Sequence, residues 1–157
     1  MFRRILSQLF LFLFVVNAQI AYAATHTLLP SYGELSKALI QGDEVRAIIT
    51  LKHCTDHAGQ AVKNELTGGL NFTQFNKYLL SDEKRFTIAT STNMLVKTPN
   101  YGHVYNYVRL RIFEDNSAEL LSEFIDPKNF NILKTASYHC HLKNSDEPAG
   151  VSLYDLA

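Results

Sequence analysis

Residues 31–54 read SYGELSKALIQGDEVRAIITLKHC, and along them the spacing of the apolar residues changes from that of a helix to that of a strand. Ser31 and Glu34 form a capping box, which satisfies backbone groups at the first turn of a helix. The apolar residues that follow at helical spacing are Leu35, Ala38 and Leu39. Gly42 stands where a helix needs a left-handed C-terminal cap. The pattern predicts one short amphipathic helix over about 31–41.

After Gly42 the apolar residues alternate with polar ones, which is the period of strands with one buried face. The alternation starts at Val45 and predicts a first strand that ends at Cys54. The predicted strands are 45–54, 70–80 with a bulge near Gln74, 85–92, 105–113, 118–125, 130–142 and 151–156, with loops at 55–69 and 93–103. Short turns between most of them favour antiparallel pairing. The predicted fold class is therefore α+β and mainly β, with one N-terminal amphipathic helix followed by an antiparallel six- or seven-stranded meander, curled into a half-barrel or a sandwich.

The segment before this domain has the three parts of a signal peptide. Arg3-Arg4 is its basic start, Ile5–Val16 is an apolar core too short to span a bilayer, and Ala21–Ala23 is a small-x-small cleavage pattern. We therefore expect a signal peptide over 1–23 and a single domain over 24–157. The protein is predicted to be exported, to the periplasm or out of the cell.

Charge and hydropathy argue against two classes of partner. The chain carries 15 Lys and Arg residues against 15 Asp and Glu residues, and removal of the leader would leave a slight acidic excess. Without a basic surplus, nucleic acid is not an expected partner. No second apolar run in the sequence reaches the ~20 residues that span a bilayer, so no stable membrane insertion is expected after cleavage.

Two cysteines, Cys54 and Cys140, lie in the predicted domain. In an exported protein an even pair favours a disulfide, and this one would close most of the domain into a ring. The alternative is a reactive or redox-active pair. That alternative lacks the Cys-x-x-Cys motif or helix start that lowers a thiol pKa.

Four histidines flank these cysteines, namely His53, His57, His139 and His141. A disulfide would bring them into one neighbourhood, and His139 and His141 share one face of a strand. These two imidazoles, with His53 or His57 as the third, are suited to hold a metal ion. The competing interpretation is that all four are ordinary polar residues at the surface or at strand edges. No other cofactor is predicted.

A stripe of aromatic and basic side chains runs along the fourth predicted strand. Its members are Tyr105, Tyr107, Arg109 and Arg111, which share one face of the strand. Stacking and bidentate hydrogen bonds from such a stripe would suit an anionic or sugar-like ligand. The competing interpretation is the solvated face of an amphipathic strand.

Several of these segments carry a family resemblance. They are Ser31–Leu35, Ala38-Leu39, Gly42, Val45–Ala47 and Cys54 at the start, then Cys140 and the closing Gly150–Tyr154. Together they resemble the VirK protein family over nearly all of the chain after the leader. The resemblance implies a small exported bacterial protein, in a family that has several members encoded among virulence-associated genes and no established biochemical activity. It supplies no active-site residues, and only the two cysteines carry over, as structural residues.

The residues and the resemblance favour a non-enzymatic protein. The sequence has no Gly-x-Ser-x-Gly elbow, His-Glu-x-x-His motif or Gly-rich phosphate loop. The leading hypothesis is an exported binding or accessory factor of the bacterial envelope or secretome, whose partner is an unidentified protein or small ligand. The alternative is a metal-binding protein that uses the four histidines. A hydrolase with an unfamiliar site is a third hypothesis, for which no residue can be named.

Overall fold

The computed structural model describes residues 26–144 and 148–156, so the signal peptide predicted over 1–23 lies outside the described part of the chain. Within that part, one α-helix, ten strands and one 3-10 turn follow one another. In chain order they are β1 (Thr27–Leu28), α1 (Tyr32–Gln41), β2 (Val45–Thr50), the 3-10 turn (Leu51–His53), β3 (Thr55–Asp56), β4 (Thr67–Asn71), β5 (Asn76–Leu80), β6 (Arg85–Thr98), β7 (Gly102–Phe113), β8 (Ser117–Ile125), β9 (Ile132–His141) and β10 (Val151–Asp155).

The predicted helix is confirmed together with both of its caps. Ser31 Oγ accepts a hydrogen bond from the backbone N–H of Glu34 at 3.3 Å. Gly42 has a φ of 90°, in the left-handed region that glycine adopts without steric cost. The face expected to pack is buried and consists of Leu35, Ala38 and Leu39. In the described ranges no helix is both long enough and apolar enough to cross a membrane.

The strands form two antiparallel sheets, which confirms the predicted mainly-β fold class in its sandwich form. The four-stranded sheet has the order β1-β10-β2-β4, and the six-stranded sheet has the order β3-β9-β8-β7-β6-β5. The inner faces of the two sheets and helix α1 meet in one core. Its fully buried side chains include Leu35, Ile88, Leu110, Ile112, Val151 and Leu153. The face of each sheet that points away from this core is called its outer face below.

The first strand is shorter than predicted, because it ends at Thr50 and not at Cys54. The chain then enters the 3-10 turn, where the backbone N–H of Cys54 donates to the carbonyl of Leu51 at 2.9 Å. This turn carries the chain from β2 in the four-stranded sheet to β3 at the edge of the six-stranded sheet. The residues before and after the turn therefore belong to different sheets.

The single strand predicted over 70–80 was wrong, and so was its bulge. The structure has two strands there: β4 pairs with β2, whereas β5 pairs with β6 in the other sheet. The break near Gln74 is thus a corner between sheets. Thr90 holds this corner, because its Oγ1 lies 2.8 Å from the carbonyl oxygen of Gln74 and 3.4 Å from that of Asn71.

Both predicted long loops contain strand residues. The loop expected at 55–69 begins with β3 and ends inside β4, which includes Gly68 and Gly69. The loop expected at 93–103 shrinks to a turn, because β6 and β7 stay paired from Thr87 to Thr98. Pro99, Asn100 and Gly102 mark only the turn itself, whereas Val96 and Thr98 before it are strand-forming residues and pair with β7.

Candidate functional site: a cleft between the two sheets

The predicted disulfide is present. Cys54 and Cys140 are bonded, and their Cα atoms are 4.5 Å apart, within the range that a bridge requires. Both side chains are buried. Cys54 directly precedes β3, and β3 pairs with β9, which contains Cys140. The bridge therefore fastens the crossing between the sheets to the edge of the six-stranded sheet.

Gly150 lies against this bridge. A Cβ added at Gly150 would lie 2.5 Å from Cys54 Sγ and 2.7 Å from Cys140 Cβ, which is closer than real Cβ contacts. The carbonyl of Gly150 also accepts a hydrogen bond from the backbone N–H of Thr50 at 2.8 Å. The position thus needs glycine for a close approach.

Two of the four histidines predicted as metal ligands meet in a polar cleft beside the disulfide. His53 and His141 line this cleft of about 380 Å³, together with Asp115 and Gly150. The Ser117 hydroxyl donates a hydrogen bond to Asp115 Oδ1 and thereby lowers the pKa of that carboxyl, while partial burial acts in the opposite direction. One carboxylate with a lowered pKa and two histidines therefore border the same cleft.

The other two histidines lie elsewhere. His139 stands opposite Glu119 in the register of β9 with β8, and His57 is exposed after β3. Within the described residues, no group of three or more His, Cys, Asp or Glu side chains is arranged to hold a metal ion. Metal binding by the four histidines stays a prediction that no contact supports.

The predicted stripe of Tyr105, Tyr107, Arg109 and Arg111 lies on the outer face of the six-stranded sheet, at alternate positions of β7. Arg109 Nη2 and Arg111 Nη1 lie 3.2 and 3.6 Å from the same oxygen, Oε1 of Glu119. The Nε atoms of both arginines are buried and make no hydrogen bond within the part of the chain that is described. A ligand that bound here would compete with Glu119 for the guanidinium groups. Ligand binding by the stripe stays a prediction.

An apolar opening lies on the inner face, because the two sheets differ in strand length. Strand β6 has 14 residues and β2 has 6. At about 3.3 Å per residue, β6 is roughly 46 Å long and β2 roughly 20 Å. The six-stranded sheet therefore extends beyond the sheet that covers it. Where the cover ends, a cleft of about 380 Å³ remains between the sheets.

We call this opening the inter-sheet cleft and define it by its lining. Its apolar lining consists of Ile49, Leu51, Leu66 and Leu70 with the backbone of Gly68 and Gly69 from the four-stranded side, and of Met94, Val108, Leu120, Phe124 and Ala136 from the six-stranded side. Phe124 also makes an edge-to-face contact with Tyr101, with ring centroids 6.2 Å apart. The lining continues the core outward toward solvent.

Gly68 leaves part of this space open. It pairs with Ile49 in the register of β4 with β2, and it therefore shares the inner face with Ile49. A Cβ added at Gly68 would meet no atom within 4 Å. Glycine in the interior of a strand can mark a place where something approaches the backbone closely. The Gly68-Gly69 pair is the one local signal of the cleft in the sequence, and it lies at the end of the segment 55–69 that is predicted as a loop.

Six polar residues line the inter-sheet cleft, and none of them carries a negative charge. They are Asn64, Thr92, Asn106, Ser122, Lys134 and Tyr138. The Ser122 hydroxyl donates to Asn106 Oδ1 at 3.1 Å, and Asn64 Oδ1 accepts from the backbone N–H of Leu66 at 3.0 Å. None of the described residues that line the cleft is acidic. The arrangement suits binding of a small molecule that is mostly apolar.

Comparisons with known proteins find one matching family and one solved structure with a similar fold. The sequence model of the family described as "VirK protein" matches residues 28–130, a range that includes Cys54 and ends before Cys140. A crystal structure of a VirK family protein from Legionella pneumophila is similar, with a TM-score of 0.63 and 13% sequence identity, over 80% of this chain and 97% of that chain. At this identity the likeness concerns the fold alone. A search of curated proteins finds no match.

Proposed function

Because the chain belongs to the VirK protein family, we propose that it is an exported, non-enzymatic protein that binds a small ligand in the inter-sheet cleft. The family has no established activity, so the proposal rests on the geometry of the cleft and on the predicted leader. The binding site is on the inner face of the six-stranded sheet, and the setting is the bacterial envelope or the outside of the cell.

Two features support export. The sequence starts with the pattern of a cleavable leader, and the domain contains a disulfide of the kind that forms in oxidising compartments. The test is the intact mass of the protein recovered from the periplasm and the medium, which should correspond to a chain that begins at Ala24. Protein that keeps the leader in both fractions would contradict export by cleavage.

The cleft itself carries the binding proposal. Its volume of about 380 Å³ falls in the range of small-molecule sites, about 300–1,000 Å³. Two of its large apolar side chains are half exposed, Leu66 at 54% and Met94 at 50%. A bound apolar molecule would remove this surface from water, which is favourable by about 25 cal/mol per Å².

The chemistry of the lining favours binding over catalysis. Among the described residues that form the inter-sheet cleft there is no Asp, Glu, His or Cys. General acid–base chemistry uses His most often, and of the other side chains that it uses the lining contains Lys134 and Tyr138. The Ser122 hydroxyl is of a type that can act as a nucleophile, but it donates a hydrogen bond to the amide oxygen Oδ1 of Asn106, which is not a base.

A pair of glycine substitutions tests the proposal with a matched control. Gly68→Leu places a side chain in the open part of the cleft. Gly69 borders the cleft only through its backbone, and its Cβ would point to the outer face beside Ile48, so Gly69→Leu places the same side chain away from the cleft at an exposed position. At Gly69 a Cβ would be 3.5 Å from both the Ala47 carbonyl oxygen and Ile48 Cδ1, an ordinary contact distance. Both variants should therefore fold.

The readout is titration with the neutral apolar dye Nile red, followed by fluorescence. The wild type and Gly69→Leu should bind one dye molecule saturably, and Gly68→Leu should bind it at least about tenfold more weakly because its leucine fills the site. Circular dichroism should show the same fold for all three proteins. The proposal would be wrong if the wild type bound the dye without saturation, or if Gly68→Leu bound the dye as tightly as the wild type does.

A further inference from the structure

The charge of the inter-sheet cleft narrows the kind of ligand that it fits. Lys134 is the one charged side chain among the described residues that line the cleft. It is an exposed residue of β9 opposite Phe124 of β8, so the two residues are neighbours on the face that borders the cleft. Lys134 makes no ion pair within the described part of the chain. A positive charge without a protein partner thus borders an apolar space.

The uncharged polar groups of the cleft add donors to this cation. Asn106 accepts from Ser122 through Oδ1, which leaves its Nδ2 without a hydrogen-bond partner among the described residues. Asn64 accepts from Leu66 N–H through Oδ1, and its Nδ2 is likewise without a partner in the described ranges. An ammonium group and two amide NH₂ groups can all donate, and no carboxylate in the lining competes with a ligand for them. This donor set is complementary to an anion.

From this charge complementarity we infer that the inter-sheet cleft takes a single-chain amphipathic carboxylate, such as a fatty acid. The apolar chain lies along the wall that includes Met94 and Phe124, and the carboxylate meets Lys134. The inference rests on the proposed function. A carboxylate matches one ammonium group, since it carries one negative charge, whereas a phosphomonoester carries −1.5 to −2 at neutral pH. A volume near the lower end of small-molecule sites suits one chain better than the two chains of a phospholipid.

The experiment compares two ligands of equal chain length that differ in charge. Dodecanoate and dodecan-1-ol are each titrated against the protein with bound Nile red, below the concentration at which either aggregates. Dodecanoate should displace the dye at about a three- to fivefold lower concentration than the alcohol, which is the size expected for an exposed ion pair. Raising the salt concentration should weaken dodecanoate and leave the alcohol unchanged.

Two lysine variants locate the effect. Lys134→Met removes the charge and keeps an apolar stem, so it should abolish the preference for dodecanoate and leave the affinity for dodecan-1-ol intact. Lys97→Met is the matched control, because Lys97 is an exposed lysine on the outer face of the same sheet. It should keep the wild-type preference.

The outcomes separate this inference from the proposed function. If both ligands displace the dye equally well, or if the preference survives in Lys134→Met, the carboxylate inference is overturned and binding in the cleft still stands. If Gly68→Leu binds Nile red and both ligands as the wild type does, the cleft is not the binding site, and the proposed function fails with the inference.

Discussion

Reduction of the disulfide between Cys54 and Cys140 should lower the free energy of unfolding by about 4–5 kcal/mol. The bridge joins residues that are 86 positions apart. In the chain-entropy model, closing a loop of that length removes about 4.6 kcal/mol of conformational freedom from the unfolded chain at 25 °C. The whole stability of a small domain is about 5–15 kcal/mol. The reduced protein should therefore be marginally stable.

The assay is urea unfolding followed by circular dichroism, for the oxidised protein, the reduced protein and the Cys54→Ala/Cys140→Ala variant. The reduced protein keeps both sulfur atoms, so its loss of stability measures the ring alone. The alanine variant also loses the packing of two sulfur atoms in sites that are 4% and 2% exposed. It should therefore be less stable than the reduced protein, by about 1 kcal/mol or more. Reductant should not change the unfolding of the alanine variant.

Burial of the bridge also predicts how reduction proceeds. A thiolate must reach one of the two sulfur atoms, so reduction in native buffer requires local opening and should be much slower than reduction at the urea midpoint. A stability loss below about 1 kcal/mol on reduction would refute the loop-closure argument. Reduction that is equally fast in native buffer and in urea would refute the burial argument.

Three further changes have expected outcomes that single measurements check. Leu35→Ala removes a fully buried side chain of α1 and should cost about 2–5 kcal/mol in urea unfolding; a loss under 0.5 kcal/mol would show that α1 is peripheral. Gly150→Ala would set a Cβ 2.5 Å from Cys54 Sγ and should leave free thiols in a thiol assay of the exported protein; wild-type stability with a complete disulfide would contradict that contact. The Ser117 hydroxyl lowers the pKa of Asp115, so this carboxylate stabilises the fold above the ordinary Asp pKa, and its contribution is lost as the pH falls through the lowered pKa. Asp115→Asn should therefore be less stable than the wild type at pH 7 and should lose less stability on acidification; parallel pH profiles would disprove the linkage.

The elements that could be predicted from the sequence are those that depend on local spacing. The capping box at Ser31 and the glycine at position 42 define α1 because helix caps involve residues within one or two turns. Strands β8 and β9 could be predicted for a similar reason, since alternation and adjacent turn residues are also local. The disulfide could be predicted from the number of cysteines and the expected compartment, without any knowledge of the fold.

The assignment of strands to sheets could not be predicted in the same way. Alternation shows which residues share a face, but it does not say which strand lies next to which. The corner after β4 therefore resembled a bulge, because both produce a break in the period near Gln74. The long ladder between β6 and β7 was missed for the same reason, since Thr98 and Gly102 become strand residues only through their pairing with each other.

The inter-sheet cleft could not be predicted from the alternation of apolar and polar residues, although that alternation predicts the strands that line it. Along β7, one face carries the Tyr–Arg stripe, whose residue types suggest a binding surface, while the other face carries Val104, Asn106, Val108 and Leu110, which resemble the buried face of any core strand. An apolar cleft and a core use the same residue types. They differ in whether another sheet covers them, and that depends on the lengths of β2 and β4 relative to β6 and β7. The missing side chain of Gly68 adds to the space, because it removes the one group of β4 that would fill the inner face beside Ile49. A glycine inside a short strand, opposite a buried apolar residue, is therefore the sequence feature through which the same cleft can be sought in other members of the family.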